Sequence, residues 1–166
     1  MSPGYSPSSY DENFCLKPPA LLWLAALYLS RAFVILLASN LAALLRMDPG
    51  IAAVLRSAVS IYSPLPSLIA VPVLYALVFR APSSTKLIRW IWAHGRSILA
   101  IAAILDCAAL FFGSSVIGGD ISDVAAGALL AAMFDIYFLI YILATRRVRD
   151  VFADFPPPPE PVRQRS

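Results

Sequence analysis

The chain has 166 residues, 60% of them hydrophobic and 14% charged, with a mean hydropathy of +0.75 and a formal net charge of +3. The apolar share is well above that of a soluble domain and the charge well below it, which excludes an ordinary soluble fold and leaves an integral membrane protein. The modest positive balance reflects topology and contact with anionic lipid at the inner face rather than nucleic-acid binding.

Residues 1–19 form a polar N-terminal segment with Asp11, Glu12 and Lys17, read as cytoplasmic. Together with the length of the apolar run that follows, this segment argues against a cleaved leader. Lys17 suits the level of the inner headgroups, Pro18 and Pro19 suit a first helical turn whose amides lack partners, and Trp23 suits the aromatic belt. Asp11 and Glu12 can pair with Arg146, Arg147 or Arg149, although exposed pairs contribute only about 0 to 1 kcal/mol.

Four stretches are long and apolar enough to cross hydrocarbon about 30 Å thick, for which about 20 helical residues are needed. They lie at about 21–45, 65–80, 97–113 and 124–145, inside a transmembrane domain spanning 20–147. They read as helices, since an open sheet would leave amides unpaired in lipid and period-two alternation is missing. The expected fold is therefore all-α, a polytopic four-transmembrane-helix bundle. The first stretch is interrupted only by Arg31 and Asn40.

After it, "PGIAAVLRSAVSIY" (49–62) reads equally well as a short helix along the outer surface or as an outward extension of the second span. The second span contains Pro72, which frees the carbonyl of Leu68 and either kinks the helix or offers an acceptor. "KLIRWIWAHGR" (86–96) interleaves basic residues with Trp90 and Trp92, the composition of anchors at the headgroup belt. The third span carries Asp106 and the fourth Asp135. Residues 148–166, ending in "FPPPPEPVRQRS", read as a disordered cytoplasmic tail, because consecutive prolines favour a solvated polyproline conformation.

With the N-terminus inside, Lys17, Arg80, Lys86, Arg89, Arg96, Arg146, Arg147, Arg149, Arg163 and Arg165 all fall on the cytoplasmic side, and only Arg46 and Arg56 lie outside. The loop "GSSVIGGDISD" has two aspartates and no lysine or arginine, as an outer loop should. Both termini are expected in the cytoplasm.

Catalysis is not expected. Cys15 and Cys107 have neither a plausible disulfide partner nor metal-type spacing, and the single histidine, His94, excludes paired-histidine ligation. Gly118-Gly119 lacks the lysine and helix of a phosphate loop. No cofactor or metal is implied.

The feature that most needs explaining is Arg31 in "LYLSRAFVILL". Arg31, Asp106 and Asp135 each lie about ten residues from the inner boundary, roughly 15 Å deep and hence near the midplane. Asp106 shares a helical stripe with Ala102, Ala103, Ala109 and Gly113, and Asp135 shares one with Ala128, Ala131 and Ala132. Small residues allow close helix approach, so the third and fourth spans should pack tightly with Arg31 directed at their aspartates. Two readings follow. The charges fix bundle packing in a structural or accessory protein, or the surplus carboxylate takes up a proton or cation in a small transporter, which with four helices would need to oligomerise.

The opening "YSPSSYDENFCLKPPALLWL" resembles that of the YfeZ-like family of bacterial inner-membrane proteins, through Tyr10, Asp11, Leu16, Lys17, Pro18 and Pro19 leading into the first span. The similarity extends as a four-helix pattern over residues 5 to 150. It implies a multi-pass inner-membrane location, with a membrane-protein or self partner possible, and it brings no activity and no catalytic residues.

Overall fold

Backbone amides in a chain this apolar must find partners within the chain, and every regular element is accordingly helical among the described residues. The computed structural model describes residues 5–45, 48, 50, 53, 64–116 and 121–157. After a single 3-10 turn at Pro7–Ser9 come α1 (Ala20–Leu29), α2 (Arg31–Leu44), α3 (Pro64–Val78), α4 (Lys86–Val116), α5 (Ile121–Ala144) and α6 (Arg146–Ala153).

α4 is the hub. Its 31 residues reach about 46 Å, and it packs most extensively against α5 and α3, with α6 and α1 also against it. Its buried face carries Ile91, Leu99, Ala102 and Ala103, which meet Leu22, Leu29, Val73, Phe138 and Ile142 in one core. Leucines and aromatics on the opposite faces of α1, α3, α4 and α5 are exposed, as they would be against lipid.

The stretch Lys86–Leu110 of α4 is long and apolar enough by itself to cross a membrane, and up to three spans result if each sharply bent helix pair counts as one. The expected first span is not one straight helix. It breaks at Ser30, where α1 and α2 meet at 65°. α3 runs through Pro72 without interruption, but its 15 residues reach only about 22 Å. The proposed outer-surface helix at 51–62 lies outside the described residues apart from residue 53.

Two further expectations change. The basic stretch 86–96, expected to lie before a third span starting at 97, is the first three turns of α4, so the connection from α3 shrinks to residues 79–85. The tail does not begin at 148: residues 146–153 form α6, which bends 65° from α5 and buries Val148, Val151 and Phe152. Those three positions are spaced as one helical face, so the arginines between them remain outside while the apolar face returns to the core. Residues 158–166 lie outside the described residues.

Candidate functional site

Four helices contribute to the neighbourhood of Arg31. Ser30 leaves the helical path (φ −89°, ψ 2°), which starts α2 at Arg31 in a new direction. The guanidinium then folds back over the Tyr28 ring, 4.1 Å from its centroid, and Nη1 donates to the Tyr28 carbonyl at 3.1 Å. A carbonyl loosened by the bend thus acquires a charged donor, and the cation gains an aromatic face.

The same guanidinium reaches the two aspartates. Arg31 Nη2 lies 2.7 Å from Asp106 Oδ2, and Nη1 lies 3.9 Å from Asp135 Oδ1. The side chains are 27% exposed for Arg31, 2% for Asp106 and 0% for Asp135, so both carboxylates are fully enclosed while the cation is not. The close pair is a charge contact without the alignment of a hydrogen bond, since Asp106 Oδ2 has no hydrogen-bond partner. Neither oxygen of Asp135 has one either. One guanidinium therefore faces two buried carboxylates and pairs closely with only one.

The surroundings are apolar and closely packed. Ala102, Ala103 and Ala132 are buried on the α4 and α5 faces that carry the aspartates, consistent with the close approach that small residues permit. Tyr28 extends the site to α5 by donating from its hydroxyl to the Ala131 carbonyl at 3.1 Å and packing against Phe134 and Phe138. Sequence reasoning missed Tyr28, although its position one helical turn before Arg31 is the spacing at which side chains on a helix meet.

A second cluster gathers at the end of the bundle where α1 begins and α3 ends. Tyr10 and Leu16 form an antiparallel bridge, and Asp11 closes the intervening loop by accepting from the Asn13 and Cys15 amides, both at 2.9 Å. Asp11 thus caps its own loop rather than pairing across the surface with the tail arginines. The Leu16 amide donates to Asp154 Oδ2 at 2.7 Å, and Arg80 donates to the Leu16 and Asp154 carbonyls at 2.9 and 3.1 Å. α1 starts at Ala20 with Pro19 as its N-cap, so Pro18 and Pro19 precede the helix instead of forming its first turn.

Trp92 departs from the anchor expectation. It is 1% exposed, lies under Arg80 (4.7 Å to the ring) and donates to the Val151 and Asp154 carbonyls. Trp90 and Trp23 do remain on the surface. The arginines of α4 are likewise occupied: Arg89 donates to the Pro82 and Pro156 carbonyls, and Arg96 to those of Ile142 and Leu143 at the end of α5. Arg96 thereby satisfies carbonyls that a helix C-terminus leaves open, with the charge sign its dipole favours. Outside the apolar bundle, burial pushes the Cys15 thiol up, and the hydrogen bond from Tyr5 to Asp150 (2.8 Å) pushes the phenol up. Among the described residues no three or more His, Cys, Asp or Glu side chains are gathered as a metal site would need.

The chain belongs to a family described as protein of unknown function (DUF2919), which matches residues 5–154. No curated protein and no solved structure matches it.

Proposed function

We propose that this protein is a multi-pass component of the bacterial inner membrane, with four spans and both termini in the cytoplasm, serving a structural or accessory role without catalysis. The observation that carries this reading is the 2.7 Å contact from Arg31 to Asp106, made between α2 and α4 at the bend that reorients α2. Among the described residues Arg31 meets a carbonyl, an aromatic face and two carboxylates, drawn from α1, α4 and α5. An arginine held on so many sides fixes helix orientation. The bacterial location and the orientation rest on the resemblance at residues 10–19 and on the distribution of lysine and arginine.

Asp135 supports a second reading. Its buried oxygens lack hydrogen-bond partners and the nearest guanidinium nitrogen is 3.9 Å away, so the site has one more carboxylate than it has cations. A surplus carboxylate at mid-depth is a place for a proton or a monovalent cation, as a small coupled transporter, itself oligomeric, would require.

Combined replacement of Arg31, Asp106 and Asp135 by leucine separates the two. Under the structural reading the triple variant accumulates and supports the same cellular phenotype as the parent, because an apolar cluster of similar volume can replace a buried ion network. Under the transport reading it accumulates but fails. If Arg31→Leu alone left abundance and thermal stability unchanged, neither reading would stand. Orientation is tested with a reporter active only in the cytoplasm, expected to work after Arg96 or Ser166 and to be silent at Gly118.

A further inference from the structure

The N-terminal loop does more than close on itself. Between it and the end of α3 lies an open cleft of about 560 Å3, lined by Tyr10, Asp11, Glu12, Asn13, Lys17 and Arg80. That volume is within the range of small-molecule sites.

The placement of charge in this cleft is specific. The Tyr10–Leu16 bridge makes the segment a small hairpin, with Asp11 and Glu12 just after Tyr10 and Lys17 on the returning arm. Arg80 adds its charge beside Lys17, because it is bonded to the Leu16 carbonyl. Two acids, Asp11 and Glu12, and two bases, Lys17 and Arg80, thus line one cleft. A purely anionic ligand would meet the acids and a purely cationic one the bases, whereas a zwitterion can satisfy both groups at once. The side chains of Glu12 and Lys17 are exposed and make no hydrogen bond or ion pair among the described residues, so both are available.

Position narrows the ligand further. Lys17 lies just before α1 starts at Ala20, and Arg80 just after α3 ends at Val78, where the apolar helices give way to polar chain. In the membrane arrangement proposed above, on which this step rests, that is the level of lipid headgroups. A primary ammonium has three N–H donors for the carboxylates, while a quaternary ammonium has none and prefers an aromatic cage. Among the described residues Tyr10 is the sole aromatic one lining the cleft.

We propose that this cleft binds a phosphoethanolamine-type zwitterion, with Lys17 and Arg80 holding the phosphate and Glu12 and Asp11 accepting from the ammonium. The ligand can be a phospholipid headgroup or the free compound.

The test uses the full chain purified in detergent and native mass spectrometry with short-chain phosphatidylethanolamine, phosphatidylcholine and phosphatidylglycerol. Soluble phosphoethanolamine is added as competitor. Phosphatidylethanolamine should be retained about tenfold better than phosphatidylcholine, and Lys17→Ala and Glu12→Gln should each weaken it about tenfold, the effect of one charged hydrogen bond. Lys86→Ala, an exposed change elsewhere at the same end, should do nothing. Weak competition by soluble phosphoethanolamine identifies the lipid as the ligand, and full competition at equal concentration identifies the free compound.

Equal retention of ethanolamine and choline lipids would overturn the assignment. So would phosphatidylglycerol binding as well as phosphatidylethanolamine with no effect of Glu12→Gln, since the cleft would then be an anion site only. Failure of the membrane reading is distinguishable: the chain would not float with vesicles, yet soluble phosphoethanolamine would still bind in a Lys17- and Glu12-dependent way.

Discussion

Replacing Arg80 with methionine should loosen the whole end of the bundle while leaving the Arg31, Asp106 and Asp135 cluster intact. The guanidinium ties three segments: it donates to the Leu16 carbonyl before α1, donates to the Asp154 carbonyl after α6, and covers the Trp92 ring on α4. Hydrogen bonds from a charged group contribute about 1.5 to 3 kcal/mol each, and a cation over an aromatic face about 0.5 to 2 kcal/mol. The loss is smaller than their sum. Both carbonyls lose their charged donor, but Asp154 O keeps one from Trp92 Nε1, so only the Leu16 carbonyl is left without a side-chain donor, and the methionine stem preserves most of the packing over the indole. About 2 to 4 kcal/mol remains.

Trp92 reports the change directly. In a background with Trp23→Phe and Trp90→Phe, the emission of Trp92 should shift to the red in Arg80→Met and its thermal transition in detergent should fall, with Lys86→Met as a control that alters neither. An unchanged emission maximum together with an unchanged transition would refute the idea that Arg80 joins these segments.

Three other outcomes are expected. Gly95→Ala should destabilise by about 1 to 3 kcal/mol, because a Cβ there would overlap the Phe152 ring, with Cδ1 at 2.9 Å, and Phe152→Leu should restore part of the loss in thermal unfolding. Ala132→Leu should force α5 away from α4 at a cost of about 1 to 3 kcal/mol, read as a lower transition in detergent, whereas Leu129→Ala on the exposed face should be nearly neutral. Cys15 is buried and its thiol is pushed up by that burial, so at pH 8 it should react with maleimide more slowly than an unstructured cysteine peptide, and Asp11→Ala, which removes the acceptor of the Cys15 amide, should speed the reaction.

Arg31 was legible because a permanent charge within an apolar run is an anomaly, and counting 1.5 Å per residue brings it level with Asp106 and Asp135. The bend at Ser30 was not legible. Serine and tyrosine are unexceptional in a spanning helix, and the bend becomes intelligible only once the guanidinium is seen back-bonded to Tyr28. Trp92 was misread for a related reason: composition cannot tell a tryptophan facing the headgroups from its neighbour two residues away, which a 100° turn per residue carries onto another helix face. α6 carried a visible signal in the spacing of Val148, Val151 and Phe152, but three nearby arginines dominate its composition and an eight-residue segment is too short to hold a helix without tertiary contacts. Arg80 and Asp154 meet only because α3 and α6 end beside each other, a long-range fact that no local pattern encodes.

The two aspartates should respond unequally to the same change. Both face one guanidinium and both are enclosed, so inspection of the sequence would treat Asp106→Asn and Asp135→Asn alike. Their distances divide them. Asp106 is in contact with Arg31 at 2.7 Å, and neutralising it leaves the cation beside an amide, with the remaining carboxylate 3.9 Å from its other nitrogen. Removing one member of a buried pair typically costs about 3 to 5 kcal/mol, and the partial exposure of Arg31 lowers that figure. Asp135→Asn instead replaces a carboxyl that has no close cation and no hydrogen bond with an amide of nearly the same shape, so the packing of α4 on α5 is left as it was. Thermal unfolding in detergent should therefore show a clear fall for Asp106→Asn and little change or a gain for Asp135→Asn. The reverse order would mean that Asp135 is the true counterion of Arg31, and the bend at Ser30 would then need a different cause.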